Sequence, residues 1–204
     1  MSLVADKPVA ATVFIVDDDP AVITLVTELA GAIGLKAQAW PSAEVFLAAY
    51  APTGPGCLVL DVRMPGMSGL QLQKELAQQG ATLPIILITG HADVRMAVEA
   101  MKAGALEFFE KPFRPQELCD KIQEAIKLDR DVWQRRKERE DAESRIGSLT
   151  PAEREVMQSI VDGKTNREIA AELDLSLRAV EDRRARMMKR LQVESRAELL
   201  KLLK

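Results

Sequence analysis

Between Thr12 and Lys111 the chain alternates short apolar runs with longer stretches of helical spacing, and this rhythm leaves few folds open. The runs are TVFIV at 12–16, KAQAW at 36–40, CLVLD at 57–61, PIILIT at 84–89 and LEFFEK at 106–111. Those at 12–16, 57–60 and 85–88 lack a period-2 alternation, the pattern of strands covered on both faces. Between the runs, VITLVTELAGAIG, SAEVFLAAY, LQLQKELAQQG and VRMAVEAMKAG read as helices, three of them stopped at Gly34, Gly80 or Gly104. Crossovers of this length predict an α/β fold, a five-stranded, doubly wound parallel sheet with helices on both faces.

Such a sheet gathers its ligands outside the C-terminal ends of its strands. Asp17 and Asp18, in FIVDDDP, fall at that edge of the first strand, and Asp61, in LVLDVRMPG, at that edge of the third. A central first strand brings the two ends side by side. Three carboxylates in one small pocket repel one another unless a hard cation neutralises them, and oxygen-only ligation suits Mg²⁺. Thr89 ends the fourth strand and Lys111 the fifth, on the same edge. Acids for a metal, a hydroxyl, an ammonium and one carboxylate able to act as nucleophile together predict phosphoryl transfer to Asp61. Asp19 reads as a helix cap rather than a ligand. His91, the single histidine, has no partner for a zinc site, and the methionines of this half read as packing.

Beyond Lys111-Pro112-Phe113 there is no Pro or Gly between Gln116 and Ile146. Leu118, Ile122 and Ile126 form an apolar stripe, but after Leu128 the pattern turns charged and mixed in sign, as in a helix leaving the core for solvent. A continuous helix over this span measures about 45 Å at 1.5 Å per residue. Gly147 and Ser148 end it. The expected organisation is therefore an α/β domain over 1–127, a linker helix over 128–147 and a small all-α domain over 148–204. Charge separates the halves: residues 1–127 hold 10 basic and 15 acidic side chains, whereas 148–204 hold 12 and 10. A nucleic-acid contact therefore belongs to the C-terminal part. The two cysteines, Cys57 and Cys119, make no disulfide framework, and no stretch approaches the roughly 18 apolar residues of a membrane span. A cytoplasmic setting is expected.

The pieces VDDDP, LDVRMPGMSGL, ITGHADV and FFEKPF, spread over roughly residues 10–127, resemble the CheY-like receiver domain of two-component response regulators. The resemblance implies that Asp61 is the phosphoacceptor, that Asp17 and Asp18 hold Mg²⁺ with Asp61 and the backbone carbonyl of Arg63, and that Thr89 and Lys111 receive the phosphoryl oxygens. It also implies an aromatic switch at Phe108, a cis Lys111–Pro112 bond and a sensor histidine kinase as phosphodonor.

The C-terminal segment holds four short helical patterns. Thr150-Pro151 with Glu153 is an N-cap signature; NREIAAEL, the turn at Leu175-Ser176 and the helix from Leu177 to Arg190 read as a helix-turn-helix. Ile169, Ala170, Leu173, Val180, Met187 and Leu191 supply its core. Arg178, Arg183, Arg184, Arg186, Lys189 and Arg190 stand against only Glu181 and Asp182 within 178–190, which predicts contact with double-stranded DNA. Each of the two acids either pairs with an arginine or accepts from a cytosine amine. LTPAEREV, NREIAAEL, VEDRRARMMKRL and SRAEL resemble the helix-turn-helix of the LuxR and FixJ type, and the charged linker is similar to that of the FixJ and styrene-degradation regulators. Arg183 stands where many members carry histidine, and Ala179 where Thr is common.

The function expected is that of a phosphorylation-activated transcriptional regulator that dimerises when phosphorylated, with promoter DNA and a histidine kinase as partners and RNA polymerase as a further candidate. A small-molecule phosphatase would need a substrate cap, and no such insertion exists in the chain. A signalling adaptor whose C-terminal helices bind protein is the alternative, against which the arginine cluster weighs.

Overall fold

A computed structural model describes residues 9–91 and 93–203. The chain forms two compact units, the first ending at Trp133 and the second beginning at Gln134.

The first unit carries five parallel strands: β1 (Thr12–Val16), β2 (Lys36–Trp40), β3 (Gly56–Asp61), β4 (Ile85–Thr89) and β5 (Glu107–Glu110). Their order is β2-β1-β3-β4-β5, so β3 rather than β1 is central. The expected neighbourhood of β1 and β3 holds nonetheless, in the register Thr12 opposite Gly56 through Val16 opposite Leu60. Between the strands lie α1 (Pro20–Ala32), α2 (Ala43–Ala49), α3 (Gly69–Gln78) and α4 (Val94–Lys102). Alternate residues of each inner strand feed opposite cores, because successive side chains leave opposite faces of a pleated strand. Phe14, Val16, Leu58, Leu60, Ile85 and Leu87 pack with Phe46, Leu72 and Leu76 on one face. Val13, Ile15, Cys57, Val59, Ile86 and Ile88 pack with Val26, Ala30, Leu118, Ile122 and Ile126 on the other.

Gly34, Gly80 and Gly104 end their helices in the left-handed region, with φ of 74°, 73° and 91°. Asp19 caps α1, its side chain accepting from the Ala21 N–H at 2.8 Å. The Lys111–Pro112 bond is cis.

Helix α5 (Pro115–Gly147) is unbroken. The first unit keeps its hold on α5 for two turns beyond Ile126, further than the apolar stripe indicates. Asp129 is the cause. Its carboxylate is buried and accepts the Gly56 N–H at 2.7 Å, where the sheet begins. The Trp133 side chain also donates to it, and burial holds the carboxyl above its ordinary range. Farther along, Arg136 pairs with Glu140 and Arg139 with Glu143, the i,i+4 spacing of a solvated helix.

The second unit adds α6 (Pro151–Val161), α7 (Asn166–Glu172), α8 (Leu177–Leu191) and α9 (Arg196–Leu202). Capping boxes, Thr150 with Glu153 and Thr165 with Glu168, start α6 and α7. Val156, Ile160, Ile169, Val180, Met187, Leu191 and Leu199 form a separate core.

Candidate functional site

Strand termini build the pocket of the first unit. Because β1, β3 and β4 are adjacent and parallel, the residues that leave their C-terminal ends converge: Asp17, Asp61 and Thr89, all buried. Lys111 follows β5 and its backbone N–H donates to the Thr89 carbonyl at 2.7 Å, which carries its side chain over the same edge. The ammonium Nζ lies 2.8 Å from Asp17 Oδ2 and 2.7 Å from Asp61 Oδ1. The other oxygen of each acid is held by main chain. Asp17 Oδ1 accepts the Asp19 N–H at 2.9 Å, and Asp61 Oδ2 accepts the Arg63 N–H at 2.6 Å. Both carboxylates are thereby held in one orientation.

Burial drives Asp17 above the ordinary carboxyl range, against the pull of the Lys111 hydrogen bond. Burial also works against the Lys111 charge, but the hydrogen bonds to Asp17 and Asp61 outweigh it and hold the ammonium above its usual range. One cation thus serves two buried anions, leaving a negative excess in a poorly solvated pocket. Asp18 stands exposed beside them. Among the described residues no three acidic, histidine or cysteine side chains are gathered closely enough to form a metal cluster. The donor set is nevertheless all oxygen, and the uncompensated charge fits a hard divalent cation rather than a soft one.

Among the described residues no hydrogen bond joins Thr89 to Asp61. Its hydroxyl accepts the His91 N–H at 3.3 Å and donates to the His91 carbonyl at 3.5 Å. Phe108 is half-buried against the core that carries Leu60 and Leu87. Two supports escape sequence reasoning. Gly69, the first residue of α3, has no room for a side chain, because a Cβ there would collide with the Asp61 carbonyl oxygen. Glu44, on α2, accepts the Met67 N–H at 2.7 Å and steadies the turn after Asp61. A glycine directly after a capping serine was the readable sign of the first; nothing local signals the second.

In the second unit the six basic residues of α8 divide. Arg178, Arg186 and Lys189 are exposed, and Arg183 is half-buried. Arg184 turns to α7, where its Nη1 donates to Asn166 Oδ1 at 2.8 Å. Arg190 donates to the Ser148 carbonyl at 3.1 Å and lies 3.4 Å from Glu153. These two brace the domain, whatever else they contact. Arg145 donates to the Leu191 carbonyl at 3.0 Å, and Arg196 to the Ile160 carbonyl at 2.9 Å, so both satisfy carbonyls at helix ends.

A parallel sheet with an acid-lined edge, joined to a helix-turn-helix, defines the class: the chain belongs to the response regulators. Residues 13–123 match the response regulator receiver domain, and 147–203 match the bacterial regulatory proteins of the luxR family. The response regulator protein TmoT of Ectopseudomonas mendocina is 40% identical over 192 residues, 94% of this chain and 87% of that protein. The transcriptional regulatory protein FixJ of Bradyrhizobium diazoefficiens is 38% identical over 190 residues, 93% of each. The solved structure of the response regulator StyR superposes with a TM-score of 0.85 at 40% identity, covering 95% of this chain and 98% of that one. The protein is therefore a regulator with a DNA-binding domain rather than an enzyme of substrate turnover. Its receiver implies a sensor kinase. No helix of the described residues is long and apolar enough to cross a membrane.

Proposed function

We propose that Asp61 accepts a phosphoryl group from the phosphohistidine of a sensor kinase and that this controls DNA binding by α8, in the cytoplasm. The observation that carries the reading is the double hold on Asp61. Lys111 and the Arg63 N–H each fix one oxygen, so the carboxylate is aimed and unable to turn away. An Asp61 oxygen attacks phosphorus, the P–N bond breaks, and the imidazole keeps the electron pair. Mg²⁺, when held by Asp17, Asp18, Asp61 and the Arg63 carbonyl, supplies positive charge to the oxygens of the transferring group. Lys111 remains on the acceptor and takes a share of that charge. The Thr89 hydroxyl, now spent on His91, is free to exchange this weak pair for a phosphoryl oxygen, and Phe108 can then turn into the space released.

Dimerisation follows from α4. Val94, Val98 and Met101 lie at i, i+4 and i+7 and are 80%, 46% and 46% exposed, an apolar stripe beside β5. A dimer joined there presents two helix-turn-helix domains to one duplex and gains affinity through effective concentration. The test is to incubate the full chain with Mg²⁺ and a small acyl phosphate, trap the adduct with borohydride and map the peptide. Label on Asp61, with tighter duplex binding in a gel shift, is the expected result; normal labelling of Asp61→Asn would sink the assignment.

A further inference from the structure

Helix α8 has a buried side made by Val180, Met187 and Leu191, each fully enclosed. At about 100° per residue, the opposite side carries Arg178, Asp182, Ala185 and Lys189 in one lengthwise strip, with Glu181 and Arg186 on its shoulders. All six are exposed. Asp182 therefore sits in the middle of the strip, a single anion between Arg178 one turn before it and Lys189 two turns after.

Two readings were open for this acid, and the structure separates them. Arg178 and Arg186 lie four residues to either side, the spacing at which Arg136–Glu140 and Arg139–Glu143 pair on α5. Among the described residues no ion pair joins Asp182 to either arginine, and no hydrogen bond occupies its carboxylate. A face that meets DNA cannot turn an unpaired carboxylate toward phosphate, since both are anions. The place where it is tolerated is the floor of the major groove, over an exocyclic amine. Cytosine N4 suits an acceptor-only group best. Adenine also offers an amine, at N6, but its N7 lone pair lies alongside and opposes the second carboxylate oxygen.

Resting on the DNA-binding reading of α8, we infer that Asp182 is a specificity-determining residue that accepts from cytosine N4, and that the target site of this regulator contains a C·G pair beneath it. Ala185, one turn on, presents a methyl group suited to contact with a thymine methyl in the neighbouring step.

The experiment uses the full chain loaded with beryllofluoride. Duplexes are selected from a random pool, and affinities are then measured by fluorescence anisotropy for the preferred duplex and its single-pair variants. The wild type should require one C·G pair and lose on the order of tenfold in affinity when T·A replaces it. Asp182→Ala should flatten that one preference to within about twofold while the other positions keep theirs. Asp182→Asn should move it toward A·T, because an amide can both donate to N7 and accept from N6. Retention of the wild-type preference at every position by both variants would overturn the inference and leave DNA binding intact. Failure of the wild type to bind any duplex would overturn DNA binding itself, and the inference with it.

Discussion

The two units place charge in opposite ways. In the receiver the working groups are buried and interlocked, with one ammonium shared by two carboxylates whose remaining oxygens are tied to backbone N–H groups. On α8 the outward strip of Arg178, Asp182 and Lys189 is exposed, and Arg184 and Arg190, which hydrogen-bond within the domain, stand apart from it. A buried, coupled site concentrates function in single residues, since removing one leaves its partners uncompensated. On an exposed strip each charge is screened by solvent, so removing one loses its own contact and leaves the fold intact.

The largest effect expected from this contrast is at Asp61, where Asp61→Asn should abolish phosphoryl incorporation and the accompanying gain in duplex affinity, read by borohydride trapping and gel shift. Next comes Lys111→Met. With the shared cation gone, Asp17 and Asp61 face each other unpaired, so the receiver should lose on the order of 2 kcal/mol in urea unfolding. Addition of Mg²⁺ should recover part of that loss, because a cation replaces the missing charge; indifference to Mg²⁺ would argue that these carboxylates do not form its site.

Val98→Asp tests the apolar stripe of α4. Light scattering at matched micromolar concentration should show a dimer for beryllofluoride-loaded wild type and a monomer for the variant. A variant that still dimerises would move the interface elsewhere. For the exposed strip, Arg178→Ala should leave unfolding unchanged and flatten the slope of log affinity against log salt by about one unit if it holds a phosphate. Arg184→Ala should instead cost about 1 kcal/mol of stability in the second unit through the lost Asn166 bond. Equal behaviour of these two variants would erase the division drawn between them.

The smallest effect belongs to Asp129. Its carboxyl is held above the unfolded value, chiefly by burial, so its contribution to stability is fully present below the unfolded pKa and is lost as pH rises through the folded one. Asp129→Asn removes that dependence. The stability difference between variant and wild type should therefore shift in favour of the variant as pH is raised from about 3.8 upward, followed by urea unfolding across the acid range.

Most of the receiver was legible because its signals are local. Fully apolar runs, helix-stopping glycines and acids at strand ends are written in adjacent residues, and β1 and β3 needed only to be neighbours for Asp17 and Asp61 to meet. The placement of β3 rather than β1 at the centre was not legible, because strand order is a matter of crossovers and not of any one run. On α8 the reverse holds: the concentration of arginine was plain, but composition does not say which side of a helix each one takes.

By itself, then, the sequence determined the elements, their caps and the chemical inventory, since helix and strand periodicity, N-cap hydrogen bonds and glycine turns act over a few residues. The cap at Thr150 with Glu153 and the cap at Asp19 are instances read from the sequence alone. The tertiary structure alone decided which charges were engaged. It buried Asp129 against Gly56, 73 positions away, turned Arg184 to Asn166, and set one ammonium between Asp17 and Asp61, 94 and 50 positions from Lys111. Such pairings follow from packing, because a buried polar group takes whatever partner the assembled core brings within reach, and no local pattern encodes which one that is.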